Sequence, residues 1–194
     1  MAHYTQKAII QTFTEMLRKM PFDKITVSAI VSTCEISSNT FYYHFRDIYD
    51  LLDVWLKNVK RKYLIDPIAQ KQSWQMTFKG ILQAMKSNAD ITYHLFDSLS
   101  RERVEKYVFD AFDSTDNTLC QIVSQEFGNA DIPEETFKYI AEYSGYAIVG
   151  FLLKYLWLHM EPDIDEMIEK IGYIFEGNIR WAIKFSEEKA SERK

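Results

Sequence analysis

Cysteine, glycine and proline are scarce in this chain of 194 residues, with two, six and four copies. Cys34 and Cys120 are too few and too far apart for a disulfide framework or a thiolate metal cluster, which leaves the reducing cytoplasm as the expected compartment. So few glycines and prolines also argue against a fold of many short strands joined by tight turns. No apolar run is long enough for a bilayer: Tyr146 to Leu158 is interrupted by Lys154 and falls short of the roughly 20 residues a span requires. Nothing before Tyr4 resembles a secretory signal. Acid–base pairs are missing as well. His44 has no cysteine, serine or carboxylate that the spacing would set beside it, and His94 and His159 lack a second ligand at metal spacing. We therefore expect no catalytic residue, no metal and no cofactor, and an enzyme is the least favoured class.

What is present is a chain that is 47% hydrophobic and rich in Leu, Ile, Met, Ala, Glu and Lys, a mixture that predicts an all-α protein with a sizeable core. Its net charge of −5 is unevenly spread. Residues 1 to 65 carry nine Lys and Arg against six Asp and Glu, a balance of +3, whereas 66 to 194 carry 14 against 22, a balance of −8. A basic front module facing a polyanion and a larger acidic body with another task is the natural division.

Helical periodicity places Ile9, Phe13, Met16 and Met20 on one face of a first helix capped at Thr5. Thr26 caps a second, very short helix in which Val27, Ile30, Val31 and Cys34 share a face. After "EIS", Ser37 or Ser38 caps a third short helix whose Phe41 and Phe45, at i and i+4, point inward. Two brief helices around a tight turn make a helix-turn-helix. Asp47 caps a long connecting helix that runs toward Asp66-Pro67. Further helices are expected over 73 to 87, 90 to 98, 101 to 127, 134 to 160 and 163 to 186, with breaks at "FGNADIP" and "MEPD" and a frayed tail.

With Phe41 and Phe45 turned inward, the opposite face of the third helix carries Ser38, Asn39, Tyr42 and Tyr43, flanked by Thr40 and His44. Hydroxyl and amide side chains of this kind suit phosphate oxygens, base edges or a thymine methyl. Lys24 and Arg46 border the face, and Lys57, Lys60, Arg61 and Lys62 cluster farther along. The bland reading is a merely solvated face. It requires the caps, the turn length and the periodicity to agree by accident.

The stretch "ITVSAIVSTCEISSNTFYYHFRDIYDLL" resembles the DNA-binding signature of the TetR family of bacterial transcription regulators, over residues 3 to about 63. The resemblance implies a three-helix head over 1–65 with its fourth helix as connector, an all-helical effector-sensing and dimerisation body over 66–194, and a homodimer on a palindromic operator. It implies phosphate contacts from Thr26 and Ser28, and places Ser38, Asn39, Thr40, Tyr42, Tyr43 and His44 in the major groove. The chain departs from the family pattern twice. Glu35 stands where the family usually has a turn glycine, and Ile48 where it commonly has a lysine that grips the backbone. The layout "YHLFDSL", a long helix and then "SGYAIVGFLLKYLWL" is similar to a subgroup that includes dihydroxyacetone kinase regulators, in which a partner protein can deliver the signal.

In the body, apolar stripes with Ile148, Phe151 and Tyr155 on one helix and Ile168, Ile171 and Phe175 on the next are the candidate dimer interface, and Gly145, Gly150, Gly172 and Gly177 within them point to close helix approach. Trp74, Phe78, Tyr93, Phe96, Tyr107 and Tyr143 are the candidates for a pocket that takes a flat, apolar effector, although aromatics of this kind more often fill an ordinary core. The expected function is a cytoplasmic DNA-binding regulator, a repressor by the family's commonest habit, controlled by a small molecule or partner protein. The alternative is a helical interaction module, or an activator dependent on a co-activator, whose head binds DNA weakly or not at all.

Overall fold

The structure, a computed structural model, describes residues 2–111, 118–127 and 133–192, and among them every regular element is helical. The chain divides into two compact units, Met1–Arg61 with Met85–Val104, and Lys62–Ala84 with Glu105–Lys194.

The first unit begins with α1 (Ala2–Lys19), which drives Ile9, Phe13 and Leu17 into the core at i, i+4 and i+8, each with 0% exposure. The helix starts ahead of Thr5, so Thr5 sits inside it and is not its cap. After a 3₁₀ turn at Phe22–Lys24 come α2 (Val27–Thr33), α3 (Ser38–His44) and α4 (Ile48–Lys60). Their caps are the expected ones. Thr26 Oγ1 accepts the Ala29 amide at 3.1 Å, Ser37 Oγ the Thr40 amide at 3.1 Å, and Asp47 Oδ1 the amides of Tyr49 and Asp50 at 2.8 and 2.9 Å. Such caps are worth about 1 kcal/mol each, which matters for helices of seven residues that could not stand alone. Phe13 and Phe22 meet edge-on with centroids 6.1 Å apart, and Trp55 Nε1 donates to Thr14 Oγ1 at 2.9 Å, joining α4 to α1.

A segment that follows α4 by more than twenty residues completes this unit. Along α1 lies α7 (Ala89–Phe96), where the Arg18 guanidinium donates to Asn88 Oδ1 at 3.0 Å and His94 Nδ1 lies 2.5 Å from the Leu17 carbonyl. That carbonyl belongs to the last turn of α1, which has no intrahelical donor for it, so His94 serves as a side-chain cap. The unit therefore includes residues beyond the expected boundary at 65, and the contact of His94 with the end of α1 is one that joins them.

In the second unit the path from α4 continues through a π-helical turn at Arg61–Ile65 into α5 (Asp66–Ala69). Pro67 does not stop the chain as expected. It stands in the first turn of a new helix, where a missing N–H costs nothing. Next comes α6 (Trp74–Ser87), followed in chain order by α8 (Arg101–Ala111), α9 (Thr118–Phe127), α10 (Glu134–Trp157) and α11 (Ile164–Glu192). The expected break at "FGNADIP" and the middle of the expected 101 to 127 helix fall largely on 112–117 and 128–132, outside the described residues. The tail stays helical to Glu192 rather than fraying near 186. Trp74 packs on Phe175 with ring centroids 4.6 Å apart, and it lies 3.7 Å from where a Cβ on Gly172 would stand, an ordinary packing distance, so the expected close approach does not require glycine there. Lys79 pairs with Asp165, and Gln75 donates to Glu176 at 2.6 Å.

Scarcity of glycine shows at the helix ends. Each of α2, α5 and α10 closes with the paired bonds of a Schellman cap: Ile36 N to Val31 O and Glu35 N to Ser32 O, Gln72 N to Pro67 O and Lys71 N to Ile68 O, Met160 N to Tyr155 O and His159 N to Leu156 O. The left-handed residue in each is not glycine but Glu35 (φ 53°), Lys71 (φ 58°) or His159 (φ 55°), and Met160 follows at φ 55°.

Phe41 has 0% exposure at the centre of the head, and its truncation to alanine is expected to cost about 3–5 kcal/mol in urea unfolding. Asn39→Ala, two residues away and exposed, should change stability by less than about 0.5 kcal/mol. Equal effects would show that α3 is rotated from the position described.

Candidate nucleic-acid interface

The interface follows from which side of α3 is buried. Phe41 and Phe45 have 0% and 1% exposure and pack on each other at 5.7 Å, so one flank of α3 is fixed in the core. On the other flank Ser38 and Asn39 are exposed, Tyr42 is 57% and Tyr43 77% exposed, and Thr40 and His44 are half-buried beside them. The Tyr42 ring keeps an edge contact with Phe41 at 5.5 Å, and Tyr43 one with His44 at 5.0 Å, so the outward tyrosines are steadied from beneath. All six side chains assigned to α3 from sequence lie on or beside this face. Thr26 and Ser28, at the start of α2, are exposed too. Thr26 Oγ1 accepts the Ala29 amide, and its O–H can donate, which suits an anionic oxygen.

The turn between α2 and α3 is the Schellman cap at Glu35, so the departure from glycine noted in the sequence carries a real backbone consequence. A left-handed conformation costs a non-glycine residue about 1–2 kcal/mol, and the exposed carboxylate adds negative charge beside a face suited to phosphate.

Basic groups are present but partly committed. Lys24 Nζ lies 3.0 Å from Asp23, and the Arg46 guanidinium 3.3 Å from Asp50, with 84% of the Arg46 side chain still exposed. Asp50 is held below the ordinary carboxylate range, chiefly because the Arg46 amide donates to it at 2.9 Å, with the Arg46 guanidinium adding to the effect. Ile48 is half-buried at the first position of α4 and offers no charge. Lys57 is exposed, but nine residues into α4 it stands about 14 Å along the axis from Ile48. Lys62 belongs to the other unit, where its ammonium sits over the Tyr63 ring at 4.8 Å.

The body candidates fare differently. Trp74 and Phe78 are interior residues of the second unit, at 2% and 3% exposure, whereas Tyr93 and Phe96 are half-buried in the first and Tyr143 is 66% exposed on α10. With half-buried Tyr107 in the second unit, the six are divided between the two units. The proposed dimer stripe needs a correction. Ile148, Tyr155, Ile168, Ile171 and Phe175 have 0–9% exposure inside the single chain, and Phe151 is half-buried, so these side chains form the subunit core. Sequence periodicity found an apolar face on each helix and missed that both helices have two. The outward faces carry Tyr139, Tyr143, Tyr146 and Trp157 on α10, and Tyr173, Ile174, Trp181 and Phe185 on α11, all 41–75% exposed.

Cys34 is half-buried with Sγ 3.2 Å from Thr12 Oγ1, and burial pushes the thiol of half-buried Cys120 up, away from reactive thiolate. Among the described residues no group of His, Cys, Asp and Glu is arranged to hold a metal ion. No described helix is long and apolar enough to cross a membrane.

Two short capped helices around a tight turn, the second exposing a continuous polar and tyrosyl face, define a helix-turn-helix DNA-binding head. Residues 9–54 match the family model of bacterial regulatory proteins of the tetR family, and residues 72–177 that of a transcriptional regulator C-terminal region. The chain belongs to the TetR family of transcription regulators, which are not enzymes. Solved structures share the fold, among them the following two. One, titled "Dihydroxyacetone kinase operon activator DhaS", has a TM-score of 0.68 at 18% identity and covers 91% of this chain and 96% of its own. The other, a TetR transcriptional regulator from Streptococcus agalactiae 2603V, has a TM-score of 0.58 at 16% identity and covers 96% and 95%. No curated protein matches the chain in sequence.

Glu35→Gly is expected to raise head stability by about 1 kcal/mol through relief of the left-handed residue, while Glu35→Ala, which keeps the Cβ, should not. Thermal melts of the two variants decide it, and equal melting temperatures would count against strain at this turn.

Proposed function

We propose that this regulator binds a palindromic operator in the cytoplasm as a homodimer and represses, with α3 of each subunit in a major groove. The observation that carries the reading is the exposed face of α3, on which Ser38, Asn39, Tyr42 and Tyr43 stand clear while Phe41 and Phe45 fix the helix from behind. Thr26 and Ser28 position the head on phosphates, and Asn39, Thr40, Tyr43 and His44 read base edges. Loss of the lysine at 48 lowers affinity rather than sequence preference, since a phosphate contact carries no base information.

Two heads must reach grooves about 34 Å apart, which requires a second subunit. The outward stripes of α10 and α11 suit that role. Gly150 and Gly177 lie exposed within them, with nothing among the described residues within 4 Å of an added Cβ, so no described contact inside the subunit accounts for their cost of about 1 kcal/mol each in a helix. A close-packed partner helix does. Control enters through the body, by a small molecule or a partner protein that favours one head spacing over another. The sign of control has a second reading, activation, favoured by the structural neighbour titled an operon activator.

DNA binding is tested by fluorescence anisotropy with a duplex from the chain's own upstream region. Affinity should fall steeply and linearly in log–log form as salt rises, and Tyr43→Ala should abolish the difference between this duplex and a scrambled one. Binding indifferent to both would favour an interaction module. For the dimer, Gly150→Leu should leave the helical fold intact but weaken association about ten- to hundred-fold in sedimentation equilibrium, the size of a 1–3 kcal/mol overpacking cost. An unchanged dimer would remove α10 from the interface.

A further inference from the structure

Ser37 precedes the face assigned to the duplex, yet its hydroxyl is engaged with a side chain on that face. Ser37 Oγ accepts the Thr40 amide at 3.1 Å and lies 2.8 Å from Thr40 Oγ1. A threonine in a helix ordinarily divides between two χ1 wells, because its hydroxyl can turn back on the carbonyl three or four residues earlier. At Thr40 the hydroxyl has a side-chain partner instead, which favours one well and leaves the methyl group as the part of Thr40 without a polar commitment. The distinction matters for reading sequence. A threonine hydroxyl donates to and accepts from many base edges, whereas a methyl group finds its match in the C5-methyl of thymine alone among the four bases. Thr40 lies three residues before Tyr43, so both stand on one side of α3, with exposed Asn39 adjacent.

We propose that Ser37 is a positioning residue for base readout: by holding the Thr40 hydroxyl at 2.8 Å it makes Thr40 meet the duplex through its methyl group and select thymine. The inference rests on the reading that α3 enters the major groove. It assigns Ser37 a part in specificity beyond the capping of α3, and it divides labour along the helix, with apolar discrimination at Thr40 and polar contacts at Asn39, Tyr43 and His44.

The experiment uses the full chain and duplexes it selects from a random pool, resynthesised with deoxyuridine replacing one thymine at a time, so that only a C5-methyl is lost. The expected result is one position per half-site where the replacement weakens binding about four-fold, the value of one methyl-sized apolar contact. Thr40→Val, which keeps the methyl and loses the hydroxyl, should retain that thymine-to-uracil ratio, and Thr40→Ser should bring it to about one. Ser37→Gly removes the hydroxyl while costing the cap only a few tenths of a kcal/mol, and should lower the ratio toward one while binding to the selected duplex persists. A ratio unmoved by Ser37→Gly, or one that survives Thr40→Ser, overturns the proposal even where DNA binding is intact. Selection of no duplex at all would instead overturn the DNA-binding reading, and this inference with it.

Discussion

Burial of two aromatic rings on one flank of a seven-residue helix is the constraint on which the rest of the head depends. Phe41 and Phe45 have essentially no exposure, and their packing leaves α3 no freedom to roll. Rotation by a single residue, about 100°, would bring Tyr42 toward the core and turn Phe41 toward water. The caps at Thr26, Ser37 and Asp47 then fix where each helix starts, so the outward side chains are set in register as well as in direction. Neither part suffices alone. Helices this short are marginal without tertiary packing, and packing alone does not place a helix end.

The distribution of glycine makes a second theme. Where a helix must end in the left-handed conformation, the chain uses Glu35, Lys71 and His159, and where a helix should gain from a better helix former it keeps Gly150 and Gly177. The second choice is intelligible if those glycines face another subunit, because the benefit of a missing side chain then lies outside the single chain. For Lys71 and His159 we find no physical account of why glycine is absent. At Glu35 the cost sits at the turn that separates the two helices of the DNA-binding motif, where it affects both backbone strain and charge.

The joining of α7 to the head illustrates how a compact unit forms across a sequence boundary. The Leu17 carbonyl in the last turn of α1 lacks an intrahelical donor, and His94 supplies one, with the Arg18–Asn88 side-chain bond beside it at that end of the helix. A division drawn on charge and motif at residue 65 has no access to this contact. The resulting compact unit includes residues 85–104, and the helix that carries His94 is part of it.

The sequence by itself determined the helical class, the positions of the short helices and their caps, and the identity of the exposed face on α3, because each follows from local chemistry: a periodicity of 3.6 residues, a hydroxyl or carboxylate at a helix start, two phenylalanines one turn apart. Tertiary structure decided which apolar stripe of α10 and α11 is core and which is surface. Tyr155 and Tyr143 are alike in composition and both lie on a helix rich in apolar residues, yet one has 0% exposure and the other 66%. A helix apolar on two faces carries no local mark of which face its own chain will cover, and that choice is made by the neighbours that arrive from elsewhere in the sequence.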